Sequence, residues 1–374
     1  MSLLEFQHRD GGIHLPALQL WLDPRRAQTG ADRVFVSHAH SDHTGAHREV
    51  ILSAPTSRLM HARIGGKRVE HVIPFGERRS FESNRVRWQI TLLPAGHILG
   101  SAMSLIEVEG ESLLYTGDFK LRPGLSAERC EPRHADVLIM ETTFGRPEYQ
   151  FPANGEVMNK VIQFCRETID RNETPMLMSY SLGKSQELLQ GLADADLPIL
   201  LHESIHKLTR IYEHFGQSFP PYDLIEGGTP AGHVLICPPM SKSAAAVREQ
   251  SPVRTAVVTG WAMDPGCRFR FGADAAFPLS DHADFPELVE LVRRVSPRRV
   301  HTLHGFAADF AWTLRDLGFD ARSLVGQEQL TLHLPVERAR KSIRASGQRN
   351  PKNHVRRDKV ESHDGSWFHS RVVL

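Results

Sequence analysis

His38-Ala39-His40-Ser41-Asp42-His43 follows, after Ser37, on the apolar run Val34-Phe35-Val36. The three apolar residues predict a short buried strand that delivers the polar run onto a loop. In extended backbone, side chains two residues apart point the same way. The imidazoles of His38 and His40 can therefore reach one cation, while Asp42 and His43, where the loop turns, can face a second. Ligation by histidine and aspartate without cysteine suits zinc or manganese. A lone His-x-His is weak evidence. Four ligand-type residues within six, straight after a buried strand, are a specific signal that a solvated polar loop does not explain.

Two further residues complete a candidate site. His97 ends the turn Pro94-Ala95-Gly96-His97 behind an apolar strand at 90–93, and Asp118 ends Tyr115-Thr116-Gly117-Asp118. A carboxylate has two oxygens and can bridge two cations, which one imidazole nitrogen cannot. Segments 104–109 and 112–116 flank Glu109-Gly110-Glu111, a hairpin signal. Another strand, 137–140, runs into Glu141. Polar, metal-type residues recur at strand ends, as a rigid sheet-supported site requires.

The pattern changes near residue 146. Helical spacing at 156–171, 185–193 and 204–215 alternates with apolar runs at 175–179 and 256–260. Histidine-loop character returns at Leu279. The simplest organisation is a discontinuous first domain, 1–145 and 263–340, interrupted by a smaller α/β domain at 146–262. The polar, basic segment 341–374 reads as a mobile tail.

The chain has 374 residues, 40% hydrophobic and 24% charged, which suits a soluble globular protein of about two domains. The formal net charge is +1. Any contact with a polyanion must therefore come from local patches rather than a global basic field. The four cysteines form no CxxC pair, which argues against a disulfide framework or a cysteine metal site. No apolar stretch approaches the roughly 18 residues that span a membrane, and no signal peptide is evident. The expectation is a cytoplasmic protein with no membrane partner.

The stretches SHAHSDH (37–43), PAGHILGSA (94–102) and YTGDFK (115–120) resemble the successive metal motifs of the metallo-β-lactamase superfamily. The resemblance implies an αββα sandwich with two divalent cations at one edge, and Asp23 supporting the site without ligating. Glu141 in METTFG, His282 in LSDHADF (279–285) and His304 in HGF (304–306) resemble motifs A, B and C of the β-CASP nucleases. The inserted α/β domain sits where the β-CASP domain belongs. The resemblance assigns His38, His40 and His97 to one metal, Asp42, His43 and His304 to the other, and Asp118 as the bridge. Such a pair can lower the pKa of a water and stabilise charge developing at phosphorus. His282, oriented by Glu141, would protonate the leaving oxygen. The alternative makes His282 a ligand and His304 the acid.

ETTFGRPEY (141–149), TGWAM (259–263), SDHADF (280–285) and WTLRDLG (312–318) resemble the bacterial DNA-ligase-associated exonucleases, over roughly residues 10–335. This implies a metal-dependent DNA exonuclease acting on single strands or ends in repair, with an ATP-dependent DNA ligase and a helicase as partners. A histidine at motif C keeps an RNA nuclease of the mRNA 3′-end-processing type in contention. A glyoxalase-II-like hydrolase would share the seven ligands without needing the insert or the Glu141–His282 pair, and a non-catalytic scaffold would not need the ligands. For substrate contacts, Arg268-Phe269-Arg270-Phe271 reads as a strand with both arginines on one face. Lys184, in a stretch resembling the Leu-Gly-Arg-x-Gln-Glu of β-CASP domains, is expected to face the nucleic acid.

Overall fold

A computed structural model describes residues 2–225, 232–239 and 252–325. The expectation of a basic tail at 341–374, and the end of the first domain at 326–340, lie outside the described residues.

Two sheets stack face to face. The first runs Gln7–Arg9, Gly12–Leu15, Leu20–Leu22, Arg33–Phe35, Glu49–Leu52, Val69–Val72, in that order. The second runs Ala321–Ser323, Arg299–Leu303, Val137–Glu141, Glu111–Tyr115, Ala102–Val108, Val86–Pro94, Arg78–Ser83. The hairpin expected around Glu109-Gly110 joins two of these strands, with Leu113 opposite Ile106. Side-chain alternation divides the second sheet between two cores. Trp88, Ile90, Leu92, Ile106, Leu113, Tyr115 and Ile139 meet Leu20, Leu22, Phe35 and Ile51 of the first sheet. Leu93, Met103, Leu105, Leu114, Leu138 and Met140 face outward onto Leu288, Leu291 and Val292 of the helix Phe285–Val295 and Phe310 and Leu314 of the helix Ala307–Asp316. The helix Ala54–Ile64 covers the first sheet's outer face through Leu59 and Met60. The layers are thus helix, sheet, sheet, helix. Burial on both faces explains why the second sheet's central stretches at 90–93 and 137–140 read as apolar runs.

A third sheet is wholly parallel: Asp223–Leu224, Ile199–Leu201, Val234–Cys237, Thr174–Met178, Val253–Val258, Ala275–Phe277. Helices Asn154–Asp170, Lys184–Gly191 and Glu203–His214 pack Val161, Leu188, Leu189 and Ile205 onto Leu177, Leu201 and Ile236. This sheet lies between two adjacent strands of the second. The chain leaves that sheet after Glu141 and returns at Arg299, parallel to the strand it left, with Leu303 opposite Glu141.

Two expectations need correction. The third sheet's last strand, Ala275–Phe277, lies beyond residue 262, where the insert was expected to end. The segment 268–271 is no strand: Cys267–Arg270 is one helical turn, closed by Arg270 N–H to Gly266 O and Phe271 N–H to Cys267 O. Four alternating residues are too few to separate the two periodicities. Here one buried residue, Cys267, and local hydrogen bonds suffice for a turn.

Candidate metal centre

Strands Leu20–Leu22 and Arg33–Phe35 run parallel, so Asp23 and Ser37-His38 emerge side by side. Asp23 is buried and left-handed, with φ 45°. Its Oδ1 accepts the Ser37 N–H at 2.7 Å. Its Oδ2 accepts the Ser37 hydroxyl, the Tyr115 hydroxyl at 3.0 Å and His43 Nδ1–H at 2.8 Å. The only hydroxyl hydrogen of Ser37 is thereby committed, so its oxygen accepts from His38 Nδ1–H at 2.9 Å. Asp23 thus orients both rings, one directly and one through Ser37. Their Nε2 atoms face Asp118 Oδ2 at 3.5 and 3.4 Å.

The next two rings are fixed by backbone carbonyls, which can only accept. His97 Nδ1 lies 2.8 Å from Asp281 O, and His40 Nε2 lies 3.1 Å from Leu182 O. Each of those nitrogens therefore carries its ring's hydrogen. Burial lowers the pKa of both rings, that of His97 to about 3, so both are neutral near pH 7. The remaining nitrogens, His97 Nε2 and His40 Nδ1, are lone pairs facing each other at 3.1 Å. His38 Nε2 stands 3.1 Å from the same His40 atom, and burial, then the neighbouring His43, lowers its ring as well. No hydrogen is available between these lone pairs. They repel unless a cation lies among them. Two nitrogens each about 2.1 Å from one cation stand roughly 3.0–3.4 Å apart, so the spacing fits. The ligand atoms of His38, His40, His97 and Asp118 all lie within 4.8 Å of one another.

The second expected set is looser. His43 Nε2 lies 3.4 Å from Asp118 and 3.7 Å from Asp42, and the His43 and His304 ring centres are 5.7 Å apart. Burial alone would lower His43, but Asp118 and Asp23 outweigh it and hold the ring well above its ordinary range. A cation here would take the place of the proton shared with Asp118. His304 is carried in by the parallel strand pairing. It sits at φ 59°, and Thr142 Oγ donates to its carbonyl at 2.6 Å. Gly305 follows at φ 56°, where a Cβ would lie 2.4 Å from the Thr143 Cα. Only glycine makes that approach without displacing backbone.

His282 Nδ1 lies 2.9 and 3.0 Å from the two oxygens of Glu141, itself buried. Glu141 also accepts the Phe119 N–H at 2.9 Å and the Thr143 hydroxyl. Ligand atoms of Asp118, Glu141 and His282 lie within 4.8 Å of one another, and 21% of the His282 side chain is open. Burial alone would lower the His282 pKa. Glu141 first, then Asp118, reverse this and raise it to about 9. The imidazolium is therefore the resting form near neutral pH, a ring able to give a proton.

The expected substrate contacts fare differently. Lys184 is 2% exposed, and its Nζ is bonded to Asp281, so it does not face a ligand. An unpaired lysine costs too much to bury, and Asp281 supplies the pair. Arg268 folds over the Phe269 ring at 4.8 Å, whereas Arg270 pairs with Asp264 at 3.1 Å, so the two share no strand face. A basic surface lies elsewhere. A cleft of about 770 Å³ opens between helices Ala54–Ile64 and Glu203–His214, lined by Arg58, His61, Lys207, Arg210 and His214 and by one acid, Glu213, which pairs with Arg210. Their i, i+3 and i+4 spacing was readable in the sequence. Ser37, Tyr115 and the Leu182 carbonyl carried no sequence signal, because their part depends on what packs opposite.

Residues 10–169 match the family described as the beta-lactamase superfamily domain. A probable DNA ligase of Opitutus terrae is 53% identical over 331 residues, covering 88% of this chain and 32% of that protein. The 5′ exonuclease Apollo of Gallus gallus is 34% identical over 188 residues, 47% of this chain and 38% of that one. An RNase J-like protein of Methanocaldococcus jannaschii is 29% identical over 224 residues, 50% of this chain and 51% of that one. The chain spans about a third to a half of the length of these relatives. The crystal structure of a protein of unknown function from Enterococcus faecalis V583 superposes with a TM-score of 0.51, over 74% of this chain and 76% of that one, at 12% identity, a likeness of fold alone. Among the described residues no helix is long and apolar enough to cross a membrane.

Proposed function

We propose a function from one premise, that residues 10–169 match the beta-lactamase superfamily domain: the chain is a two-metal phosphodiesterase that hydrolyses DNA, working as an exonuclease on single strands or ends in repair. The observation that carries the reading is the Glu141–His282 pair beside Asp118, at the edge of a cluster of converging imidazole lone pairs. A hydrolase acting on a good leaving group has no need of a poised imidazolium there. A phosphodiester does, because the departing sugar oxygen must gain a proton.

In this reading His38, His40 and His97 would hold one divalent cation, zinc or manganese, and Asp42, His43 and His304 the other, with Asp118 shared between the two sets. The cations would supply a lowered water pKa and charge stabilisation at phosphorus. The chain's own residues do the rest. Asp23 and Ser37 set the orientation of His43 and His38. Glu141 keeps His282 protonated and aimed, and His282 gives its Nε2 proton to the leaving oxygen. The basic cleft between the 54–64 and 203–214 helices supplies the local patch that a net charge of +1 conceals, and suits a polyanion.

DNA is favoured over RNA by the relative named as a probable DNA ligase, and exonucleolytic action by the one named as a 5′ exonuclease. The first of these also favours action alongside a DNA ligase; the reading takes that ligase as ATP-dependent and a helicase as a further partner. RNA is the second reading, favoured by the RNase J-like relative and the histidine at 304. A digestion panel decides. Labelled single- and double-stranded DNA and RNA, with 5′-phosphate or 5′-hydroxyl ends, are offered with manganese or zinc. Shortening of DNA is expected. Cleavage of RNA with DNA left intact would replace the first reading by the second.

A further inference from the structure

The helix Lys184–Gly191 follows a loop that reaches from the third sheet into the metal centre. Leu182 is buried among Val36, Ala39, Ile98 and Leu99, next to the two loops that carry His38, His40 and His97. Its carbonyl accepts from His40 Nε2 at 3.1 Å. Two residues on, Lys184 Nζ binds the Asp281 side chain, and the Asp281 carbonyl accepts from His97 Nδ1 at 2.8 Å. His282 is the residue after Asp281. Between the two anchors, Gly183 sits at φ 84°, so close that a Cβ would lie 2.2 Å from the Ile98 Cγ2. The loop is itself braced. Gly183 N–H donates to Gln186 Oε1 at 2.7 Å, and the Gln186 amide reaches Ser181 O and Thr209 Oγ.

Two of the three histidines expected on one cation therefore take their orientation from the inserted part of the chain. His40 does so directly, and His97 does so through an aspartate that a buried lysine holds. The remaining one, His38, is oriented by Ser37 within the first sheet's own loop. A hydrogen bond to a ligand's far nitrogen fixes its tautomer and rotation and typically supports 10–100-fold of metal affinity.

We propose that the 182–184 loop is a positioning clamp for the metal centre: the Leu182 carbonyl and Lys184 hold His40 and the Asp281–His282 loop in their ligating and proton-donating orientations, so docking of the inserted sheet and metal loading are one event. The buried ion pair is then no simple staple, and the insert is more than a substrate platform, because the first two sheets alone do not complete the site. This rests on His38, His40 and His97 being ligands of one cation. It does not depend on whether the substrate is DNA.

The test is metal binding by the full chain. Metal-free protein is titrated with zinc against a chromogenic chelator, for wild type, Gly183→Ala, Lys184→Met and Lys184→Arg. Gly183→Ala pushes the loop off Ile98, and Lys184→Met releases Asp281. Each is expected to weaken one equivalent by roughly 10–100-fold, while Lys184→Arg stays within a few-fold of wild type. Adding Ile98→Ala to Gly183→Ala should recover most of the loss, which relief of local backbone strain alone would not explain. Folded Gly183→Ala and Lys184→Met proteins that bind both equivalents as tightly as wild type would overturn the clamp. Should those variants not fold, ¹⁵N–¹H correlation of the histidines in the metal-free wild type reads the same contact. His40 should be neutral with its hydrogen on Nε2, and a hydrogen on Nδ1 overturns the proposal. Loss of affinity in the variants together with inert DNA would leave the clamp standing and remove only the substrate assignment.

Discussion

Replacing Glu141 by glutamine keeps the shape of the residue and removes the charge that raises His282. In the wild type that ring stands at about 9, although burial works in the opposite direction. Without that carboxylate only Asp118 and Asp281 still oppose burial, so the ring falls from about 9 toward its ordinary value of about 6.5. A ring that falls all the way has a protonated fraction at pH 7.5 of about 9%, against about 97% in the wild type. The expected loss in kcat/KM at that pH is therefore up to about tenfold. It should shrink as the pH drops, because acid restores the imidazolium in the variant. Bound cations would lower the ring in both proteins, so the quantity to read is the displacement between the two profiles, up to about 2.5 pH units on the alkaline limb. The assay is a pH–rate profile of labelled DNA cleavage with manganese, beside metal analysis of each protein. The same shift has a folding counterpart. A pKa raised in the folded state contributes roughly 3 kcal/mol below the unfolded value near 6.5, and this is lost as pH rises through about 9. The gap in Tm between the metal-free proteins should accordingly close over that window. An alkaline limb that does not move in Glu141→Gln would refute the proton-donor role. Loss of one metal equivalent on His282→Ala would instead make that ring a ligand.

Three further outcomes are expected. Asp23→Asn removes an acceptor shared by Ser37, Tyr115 and His43; metal affinity should fall by roughly 10–100-fold, read by chelator competition, and a variant loading metal like wild type would contradict the role given to Asp23. Changing Arg58, Lys207 and Arg210 together to alanine should leave hydrolysis of a nitrophenyl phosphodiester unaltered; long DNA should bind more weakly and its log Kd depend less on log salt, by about 2–3 in slope, and an unchanged slope would exclude the cleft from the substrate path. Gly305→Ala places a Cβ against the Thr143 backbone at left-handed φ, so unfolding in denaturant should show a loss of about 3 kcal/mol or more, whereas a loss below about 1 kcal/mol would mean that the turn at His304 relaxes freely.

Much of the architecture was readable from local pattern. Short apolar runs marked the strands, turn residues marked the hairpin at Glu109-Gly110, and helical spacing marked the helices over 154–214. Failures came where the repeat was too short or the outcome depended on a distant neighbour. Arg268 to Phe271 offers only four residues of alternation and folds as a turn. Lys184 looked like a free cation because nothing local to it announces Asp281, 97 residues further along the chain.

The sequence by itself determined the inventory of candidate ligands. His38, His40, Asp42 and His43 are neighbours along one loop, and their convergence follows from backbone geometry within six residues. Only the tertiary structure decided which nitrogen of each ring is free. That depends on whether an acceptor such as Asp23, Leu182 O or Asp281 O stands behind the ring. It also decided that Glu141, His282 and His304 share one edge, because the strand leaving at Glu141 and the strand arriving before His304 are hydrogen-bonded in parallel. Spacing along a loop is a local property of the chain. Orientation by hydrogen bonding across packed layers is not, and it is what turns a set of histidines into a site.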